Sequence, residues 1–463
     1  MISEANGFLD PQALPWDSND HPKRKPCRPA FGLDRRLSGI ARWQELARLA
    51  LSECLNEAMN PAQTPLVVAS CNGSAARFDS DDWESSFDTA ALLEKTPWRG
   101  KKVPVVSGSC ASGLQALFLA GWLLENETNE VVVLAVDILS SVSYENFDAL
   151  RILSAENEVP WQSASTGFLF GEAAVAVKLK KGGKPLQGIR VSGVSLATDI
   201  AAVDGFGRSL SSFSATAPQF IVAQGTGPHE SNLLELEALR LHFDSTTSLT
   251  SPVYRFGHSL GVSSLLSIAL AHLTYSFPAV GEFIKLPKSS AADGRMLFQG
   301  DINNEDIVVA CRALSGQCGS ARLSTHSDRF VLPSSELREP SVTELLVHPV
   351  LRDIAETAAR VRPSTPPDIL LVRLHSPLSP PSRAIIGNRI LPSAILEITP
   401  GYIPRLIARC WGFTGPAICL VGNASTERET QRLINALRIS GLSITAVSIH
   451  GTEDRRDIVW DII

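Results

Sequence analysis

The sequence predicts an α/β fold built on a largely parallel sheet with helices on both faces. Apolar runs such as TPLVVAS and EVVVLAVD recur along the chain, and they are apolar throughout instead of alternating with polar residues. Runs of this kind are typical of strands that are buried on both faces. Helical spacing separates them, as in ARWQELARLALSECLNEA. Strands that alternate with helices indicate parallel units of one sheet.

The predicted elements follow one another in four parts of the chain. Residues 1–30 are polar and proline-rich, so we expect an arm there. Residues 31–328 hold the alternating pattern; in order, we expect a helix over Ala41–Ala58, a strand in TPLVVASCNG, a strand–turn–helix over Val103–Leu117, strands over Glu130–Ser141 and Gly171–Lys181, a helix around Asn232–Phe243, and a turn and helix in GHSLGVSSLLSIALAHL. Residues 329–384 are rich in proline and serine, as in a linker around a short helix. Residues 385–463 return to an α/β pattern.

The C-terminal part echoes an earlier one. GPAICLVGNAS, a helical stretch and SITAVSIHG run parallel to VPVVSGSCASG, a helical stretch and EVVVLAVDI, with Asn423 opposite Cys110. Two strand–helix–strand units can match this well by chance, so duplication and coincidence both stay open.

Composition excludes several functional classes. The net charge of −6 leaves no basic footprint for nucleic acid. No apolar run approaches the roughly 20 residues of a membrane span, and the first residues lack the pattern of a signal peptide. The eight cysteines are dispersed, without a C-x-x-C pair. We therefore expect a cytoplasmic protein with reduced thiols and no metal site.

The segment VPVVSGSCASGLQAL carries the clearest chemistry. It places Cys110 at a strand-to-helix turn, beside the first free amides of a helix. Those amides stabilise an anion, so we expect a lowered thiol pKa and a nucleophile that can accept an acyl group. The alternative is a small buried cysteine in a packed turn.

Four motifs together resemble the β-ketoacyl synthases, the condensing enzymes of fatty-acid and polyketide synthesis. They are SGSCASGLQAL, FDALRILS, STGFLFGEAA and GHSLGVSS, in the family's order and over about residues 31–328. The resemblance implies a thiolase-like fold of layers α-β-α-β-α, with 385–463 as an added segment that resembles a degenerate half of such a domain. It implies that Cys110 is the acyl-accepting nucleophile, His258 the second histidine, a base or oxyanion donor, and Glu172 a structural acid. No bound cofactor is implied, since an acyl carrier protein or CoA delivers the phosphopantetheine.

The sequence departs from the family where the first histidine is expected. In QGTGPHESNLLELEA, Gln224 replaces that histidine and Asn232 replaces an aspartate, whereas Glu235 keeps the family's glutamate. Val253 stands where the family carries a lysine. A glutamine amide can donate hydrogen bonds to a developing enolate oxygen, but it cannot exchange a proton near neutral pH. His229 is a second candidate base, against the alternative of a surface histidine.

Further substrate contacts are implied by the resemblance alone. Thr226 aligns with a position that contacts the pantetheine arm, although a hydroxyl in a turn is the plain alternative. The late glycine-rich loop appears as Gly316, Gln317, Cys318 and Gly319, without the family's gating phenylalanine.

Three functions remain open from the sequence. The first is decarboxylative condensation of an acyl group on Cys110 with a malonyl-type unit. The second is an acyltransferase in which Cys110 and His258 pass the acyl group to an amine or hydroxyl. The third is a non-catalytic partner comparable to a chain-length factor, against which the retained cysteine argues. Family members pair across their nucleophile strands, so a homodimer or heterodimer and an acyl carrier protein are the expected partners.

Overall fold

A computed structural model supplies the structure of the chain. It describes residues 25, 27–30, 33–34, 36–55, 59–74, 84–182, 190–200, 204–214, 218–276, 280–288, 290–299, 306–324, 335–340, 349–375, 378, 385–386, 389–390, 399–451 and 456–462. Most of the predicted arm, residues 1–24 and 26, lies outside the described residues.

Strands and helices alternate along the described chain, as predicted. The strands are β1 (Cys27–Arg28), β2 (Leu66–Ala69), β3 (Val105–Val106), β4 (Glu130–Asp137), β5 (Phe170–Gly171), β6 (Ala173–Lys180), β7 (Arg190–Thr198), β8 (Phe220–Val222), β9 (Ser248–Thr250), β10 (Ile307–Arg312), β11 (Gln317–Ser324), β12 (Ile369–Leu374), β13 (Ile385–Ile386), β14 (Arg389–Ile390), β15 (Ala417–Val421), β16 (Ile444–Gly451) and β17 (Arg456–Ile462). The helices are α1 (Gly39–Cys54), α2 (Thr89–Leu92), α3 (Ser112–Asn126), α4 (Ser141–Ala149), α5 (Asp204–Ser211), α6 (His229–His242), α7 (Val253–Phe256), α8 (Ser263–Ser276), α9 (Gly281–Ile284), α10 (Pro349–Arg360), α11 (Tyr402–Trp411) and α12 (Glu427–Ile439).

Two sheets sandwich a central helical layer. The larger has eight strands in the order β17-β16-β12-β15-β3-β2-β4-β6, and the smaller has five in the order β7-β11-β10-β8-β9. Helices α3 and α8 share one buried core with both sheets. Helices α1, α10 and α11 pack on the outer face of the larger sheet, and α5 and α6 on that of the smaller. The layers are therefore α-β-α-β-α, which confirms the predicted class.

The larger sheet is a repeated structure. From its middle outwards the order is β3-β2-β4-β6 on one side and β15-β12-β16-β17 on the other. Directions repeat as well, because β3, β2 and β4 are mutually parallel with β6 antiparallel, and β15, β12 and β16 are parallel with β17 antiparallel. The echo in the sequence therefore has a structural counterpart: both units have the same topology.

The structural register differs from the one expected from the sequence. Residues Ser109–Ala111 and Ala424–Thr426 each form a 3-10 turn that leads at once into a helix. The amide of Ala111 donates to Gly108 O, and that of Thr426 donates to Asn423 O. Asn423 thus corresponds to Gly108, and exposed Ser425 occupies the position of Cys110. The sequence match was two residues out of register because it aligned small residues without regard to the turn.

The two units differ in what covers them. Helix α3 lies between the sheets, and its residues are apolar on nearly every side. Helix α12 buries one face, whereas Arg428, Asn435 and Arg438 are exposed on the other. A helix with one polar face is typical of a surface helix. The exposed face of α12 therefore needs no second small sheet to cover it.

The boundary expected at residue 384 does not match this architecture. Strand β12, in the stretch expected to be a linker, is an inner strand that pairs with β15 and β16. The C-terminal unit accordingly begins with α10, which packs on α11. Proline and serine around these elements obscured the strand ILLVRL, which is itself wholly apolar apart from Arg373.

The expected pairing of two chains across the nucleophile strand is wrong for this structure. Strand β15 of the same chain pairs antiparallel with β3, with Leu420 opposite Val106 and Val421 opposite Val105. Strand β3 has β2 as its other neighbour. Both of its edges are thus occupied within one chain.

A buried ion pair fixes α1 to the sheet beside the site. Arg42 and Glu172 form a bidentate pair, and their side chains are 1% and 0% exposed. Glu172 also accepts the amides of Ala30 and Leu139, at 2.8 and 3.1 Å. Strand β1, which contains Cys27, lies in the same region and pairs with β5.

We predict that Glu172→Ala lowers the free energy of unfolding by about 3–5 kcal/mol, because it leaves Arg42 as an uncompensated buried charge. Urea denaturation followed by circular dichroism measures the loss. The exposed pair of Glu45 with Arg48 serves as the control, and Glu45→Ala should cost less than about 1 kcal/mol. Equal effects of the two substitutions would show that the buried pair has no special role.

Candidate functional site

Cys110 lies in a tight turn at the end of β3. The turn Ser109–Ala111 begins with Ser109 at φ 53°, in the left-handed region that non-glycine residues rarely adopt. Ser112 stabilises it, since its Oγ accepts the amide of Gly108 at 2.9 Å and donates to Ser109 O at 2.6 Å. The turn directs the cysteine between the two sheets, where it is 6% exposed.

His258 precedes a second turn of the same shape. Leu260 begins the 3-10 turn Leu260–Val262 at φ 53°, and α8 follows directly. The backbone of His258 donates to Leu169 O and accepts from Gly171, at 2.8 and 3.0 Å. The ring of Phe168 meets the imidazole edge to face, with centroids 4.8 Å apart. The STGFLFGEAA motif thus holds the histidine in place.

The structure brings Cys110 and His258 into contact, with Sγ 3.1 Å from Nε2. Burial raises the pKa of the Cys110 thiol to about 12. Burial also lowers the pKa of His258 to about 4. Both groups are therefore neutral at pH 7.

The expectation of a lowered thiol pKa is consequently wrong for the resting site. Hydrogen bonds from the backbone of Leu314 and from Cys110 itself lower that pKa, as does the Gln224 side chain, but desolvation by burial outweighs them. The sequence pattern locates the helix start correctly, yet it contains no measure of how deeply the sulfur is buried.

Gln224 is the third group at the thiol. Its side chain is 7% exposed, and its Nε2 makes no hydrogen bond of ordinary geometry to any described residue. Glu235 holds the backbone here, because its carboxylate accepts the amides of Gln224 and Gly225 at 3.0 and 2.9 Å. Trp161 Nε1 donates to the same carboxylate at 2.7 Å. A buried amide donor is thereby left available to a ligand.

The rest of this motif is structural in its contacts. Asn232 Oδ1 accepts the amide of Gly227 at 2.8 Å, and Glu235 is a buried acid whose pKa is raised by burial. Thr226 is half-buried on the loop between β8 and α6. His229 is the first residue of α6, half-buried, and among the described residues no hydrogen bond joins it to Cys110.

The late glycine-rich segment is mostly strand, not loop. Gln317, Cys318 and Gly319 begin β11 and are buried, and Gly316 alone lies in the preceding turn, with φ 78°. Gln317 Oε1 accepts from Gln115, and its Nε2 donates to Gly401 O at 3.4 Å. The Gln317 side chain therefore contacts α3 and the residue before α11. Contact of these four residues with substrate stays a prediction. The residue of this turn whose backbone reaches the thiol is Leu314.

Asp137 was missed by the sequence analysis. Its buried carboxylate accepts the amides of Cys71 and Gly261 and the hydroxyl of Ser70, at 2.7 to 3.1 Å. It therefore ties the end of β2 to the turn after His258. Burial raises its pKa to about 6. A lone acid ending the apolar run VVVLAVD is the signal that could have identified it.

The C-terminal unit supports the nucleophile turn directly. A side chain at Gly401, the residue before α11, would collide with the backbone of Gly108 and Ser109. Gln115 of α3 donates to Ala417 O of β15 at 3.1 Å. Removal of this unit would therefore uncover the back of the site.

Within the described residues, no three His, Cys, Asp or Glu side chains come together as metal ligands. None of the helices in the described ranges is both long and apolar enough to span a membrane.

The layered fold resembles that of solved ketosynthase structures, and it encloses a buried Cys–His pair. Residues 96–184 match the family model of the N-terminal domain of β-ketoacyl synthases. The predicted resemblance and the thiolase-like fold are thereby confirmed, at low sequence identity. No curated protein sequence matches the chain.

Solved structures with this fold include both single and paired ketosynthases. A structure described as PfaC keto synthase–chain length factor is 12% identical with a TM-score of 0.63, and the alignment covers 89% of this chain and 64% of that one. This chain thus spans about two thirds of the PfaC structure. A β-ketoacyl synthase from Burkholderia phymatum STM815 is 17% identical with a TM-score of 0.53, over 69% and 93% of the two chains. The ketosynthase ApeO in complex with its chain length factor ApeC, from Xenorhabdus doucetiae, is 16% identical with a TM-score of 0.50, over 70% and 92%.

We predict that alkylation of Cys110 by iodoacetamide accelerates about tenfold for each pH unit between pH 7 and 10, without a plateau. The reason is that the thiolate is the reactive form and the thiol pKa lies near 12. Peptide mass spectrometry measures the rate at Cys110, with partly exposed Cys54 as internal reference. A plateau that begins below pH 8 would instead demonstrate a stable thiolate in the resting protein.

Proposed function

We propose that the protein is a ketosynthase-like enzyme that accepts an acyl group on Cys110 from the phosphopantetheine of an acyl carrier protein or CoA. The observation that carries the proposal is the contact of Cys110 Sγ with His258 Nε2 at 3.1 Å. A nucleophile beside a base is the arrangement that covalent acyl transfer requires.

Acylation needs only groups that are present. The thiol attacks the thioester carbonyl, Nε2 of His258 takes the thiol proton, and the same nitrogen returns it to the leaving pantetheine thiol. The tetrahedral intermediate carries its negative charge on oxygen, where the amide of Gln224 and the backbone amides at Cys110 and Leu314 are candidate donors. Because both groups are neutral at rest, the proton moves as the carbonyl is attacked, not before.

For the second step we propose condensation with a malonyl-type unit. Loss of carbon dioxide from the malonyl thioester leaves an enolate, whose carbon attacks the acyl-cysteine and expels the Cys110 thiolate. The enolate oxygen needs a hydrogen-bond donor and no proton transfer, so a glutamine amide meets the need. Nε2 of Gln224, which makes no hydrogen bond of ordinary geometry to a described residue, supports this assignment.

An acyltransferase is the second candidate. It is favoured by the presence of one histidine where the family has two, since a hydroxyl or amine acceptor needs a single base to remove its proton. A non-catalytic role as a chain-length-factor-like partner is disfavoured by the intact Cys110 and His258 pair.

We further propose that the C-terminal unit, α10 to β17, takes the place of half of a partner subunit within the same chain. Its topology repeats that of the first half and its strand β15 fills the edge of β3. The alignment with the keto synthase–chain length factor structure covers 89% of this chain, against 69% for the single Burkholderia ketosynthase, as an added half-domain would produce. The acyl carrier protein is then the partner still required. A cytoplasmic location stays a prediction.

We predict that intact mass spectrometry after incubation with acyl-carrier or acyl-CoA thioesters shows one acyl adduct, mapped to Cys110 and absent in Cys110→Ala. Release of carbon dioxide from a malonyl thioester, measured in parallel, separates condensation from simple acyl transfer. Gln224→Ala should reduce that release by roughly 10²-fold while the protein still acylates, because an enolate donor is removed.

Cys419→Ala is the matched control, since Cys419 is another buried thiol but lies in β15 with no histidine contact in the described structure. It should acylate as the wild type does. No adduct at any donor chain length would remove both enzymatic functions. An adduct without decarboxylation would leave the acyltransferase as the function.

A further inference from the structure

The imidazole nitrogen that faces away from Cys110 meets a serine. Nδ1 of His258 lies 3.2 Å from Oγ of Ser263, the first residue of α8. The same Oγ accepts the backbone amide of Ser259 at 3.1 Å and lies 3.3 Å from its hydroxyl. His258, Ser259 and Ser263 are 3%, 0% and 6% exposed. All three lie in the GHSLGVSS motif, in which His258 alone has an assigned role.

The hydrogen bonds that Ser263 can make are limited by its single proton and its two acceptor sites. A hydroxyl has one proton to donate and two acceptor sites, and the Ser259 amide occupies one of those sites. In one arrangement Nδ1–H donates to the Ser263 hydroxyl, and that hydroxyl donates to the Ser259 hydroxyl. The ring proton is then on Nδ1, and Nε2 is unprotonated. In the other, the Ser259 hydroxyl donates to the Ser263 hydroxyl, which donates to an unprotonated Nδ1, and the ring proton is on Nε2.

The thiol of Cys110 distinguishes the two arrangements. It is protonated at rest, and Nε2 is 3.1 Å from its sulfur. A bare Nε2 gives the S–H an acceptor, whereas Nε2–H would face a protonated sulfur, which is a weak acceptor. In the first arrangement the Ser259 hydroxyl also keeps its own proton, and Ser259 borders a small cavity shared with Gln224 and Ser263. That cavity leaves room for a partner of the hydroxyl.

We propose that Ser263 is a positioning residue that holds His258 as the Nδ1–H tautomer, so that Nε2 serves as the base for the Cys110 thiol. Gln224, and not His258, is then the donor available to the enolate oxygen. This division of labour rests on the proposed function. The tautomer itself is a property of the resting protein and needs no substrate.

The test is NMR of the full chain labelled with ¹⁵N-histidine, with the His258 signals assigned by their loss in His258→Gln. Long-range ¹H–¹⁵N correlations report which ring nitrogen carries the proton. The wild type should have it on Nδ1. Ser263→Ala should lose this preference and acylate Cys110 from a thioester donor about tenfold more slowly, which corresponds to the loss of one buried hydrogen bond.

Ser263→Thr keeps the hydroxyl and should restore both the tautomer and the rate. Ser267→Ala is the matched control, since its hydroxyl lies one turn further along α8 and donates to Ser263 O at 3.0 Å. A resting proton on Nε2 would overturn the proposal, as would an unchanged tautomer in Ser263→Ala. If Ser263→Ala fails to fold, the wild-type spectrum alone decides. A correct tautomer without any acyl adduct would refute the proposed function and leave this inference intact.

Discussion

The antiparallel contact between β3 and β15 is the constraint on which the rest of the structure depends. Strand β3 ends in the turn that presents Cys110, so whatever pairs with this strand also sets the back wall of the site. Backbone pairing leaves no unsatisfied strand edge at that point, which removes the usual reason for a second chain to bind there. Gly401 and β15 then pack against the nucleophile turn and α3. Folding of the C-terminal unit and order at the thiol are therefore linked.

Within that frame the site is buried and neutral. Cys110 and His258 are buried together, and burial moves the pKa of each in the direction that removes its charge. A neutral pair costs less to bury than a thiolate with an imidazolium, and it keeps the resting thiol unreactive towards adventitious electrophiles. The surrounding carboxylates are structural, because each accepts hydrogen bonds from backbone amides. They belong to Asp137, Glu172 and Glu235. Gln224 retains an unused donor, which is why it, and not an acid, is the group left for chemistry.

Much of this could be predicted from the sequence, because local patterns encode local structure. The apolar strands, the turn at Cys110 and the motif around His258 each depend on neighbouring residues, and they were located to within a few positions. What failed depends on distant contacts. The depth of burial that raises the thiol pKa comes from both sheets and α8. The role of β12 depends on pairing with strands more than 40 residues away in sequence. Ser263 matters only because the second turn brings its hydroxyl within hydrogen-bond distance of His258 Nδ1.

The most direct test of the account is a disulfide across the two units. Val106 and Leu420 are opposite each other, and since Ser107 N donates to Cys419 O at the next position, they form a non-hydrogen-bonded pair with close side chains. Oxidation of a Val106→Cys/Leu420→Cys variant should link these two positions within one chain, with a non-reduced mass that stays at 49.8 kDa. Peptide mapping identifies the link among the native thiols. A link between two chains, at twice that mass, would contradict the account and restore an ordinary dimer across β3.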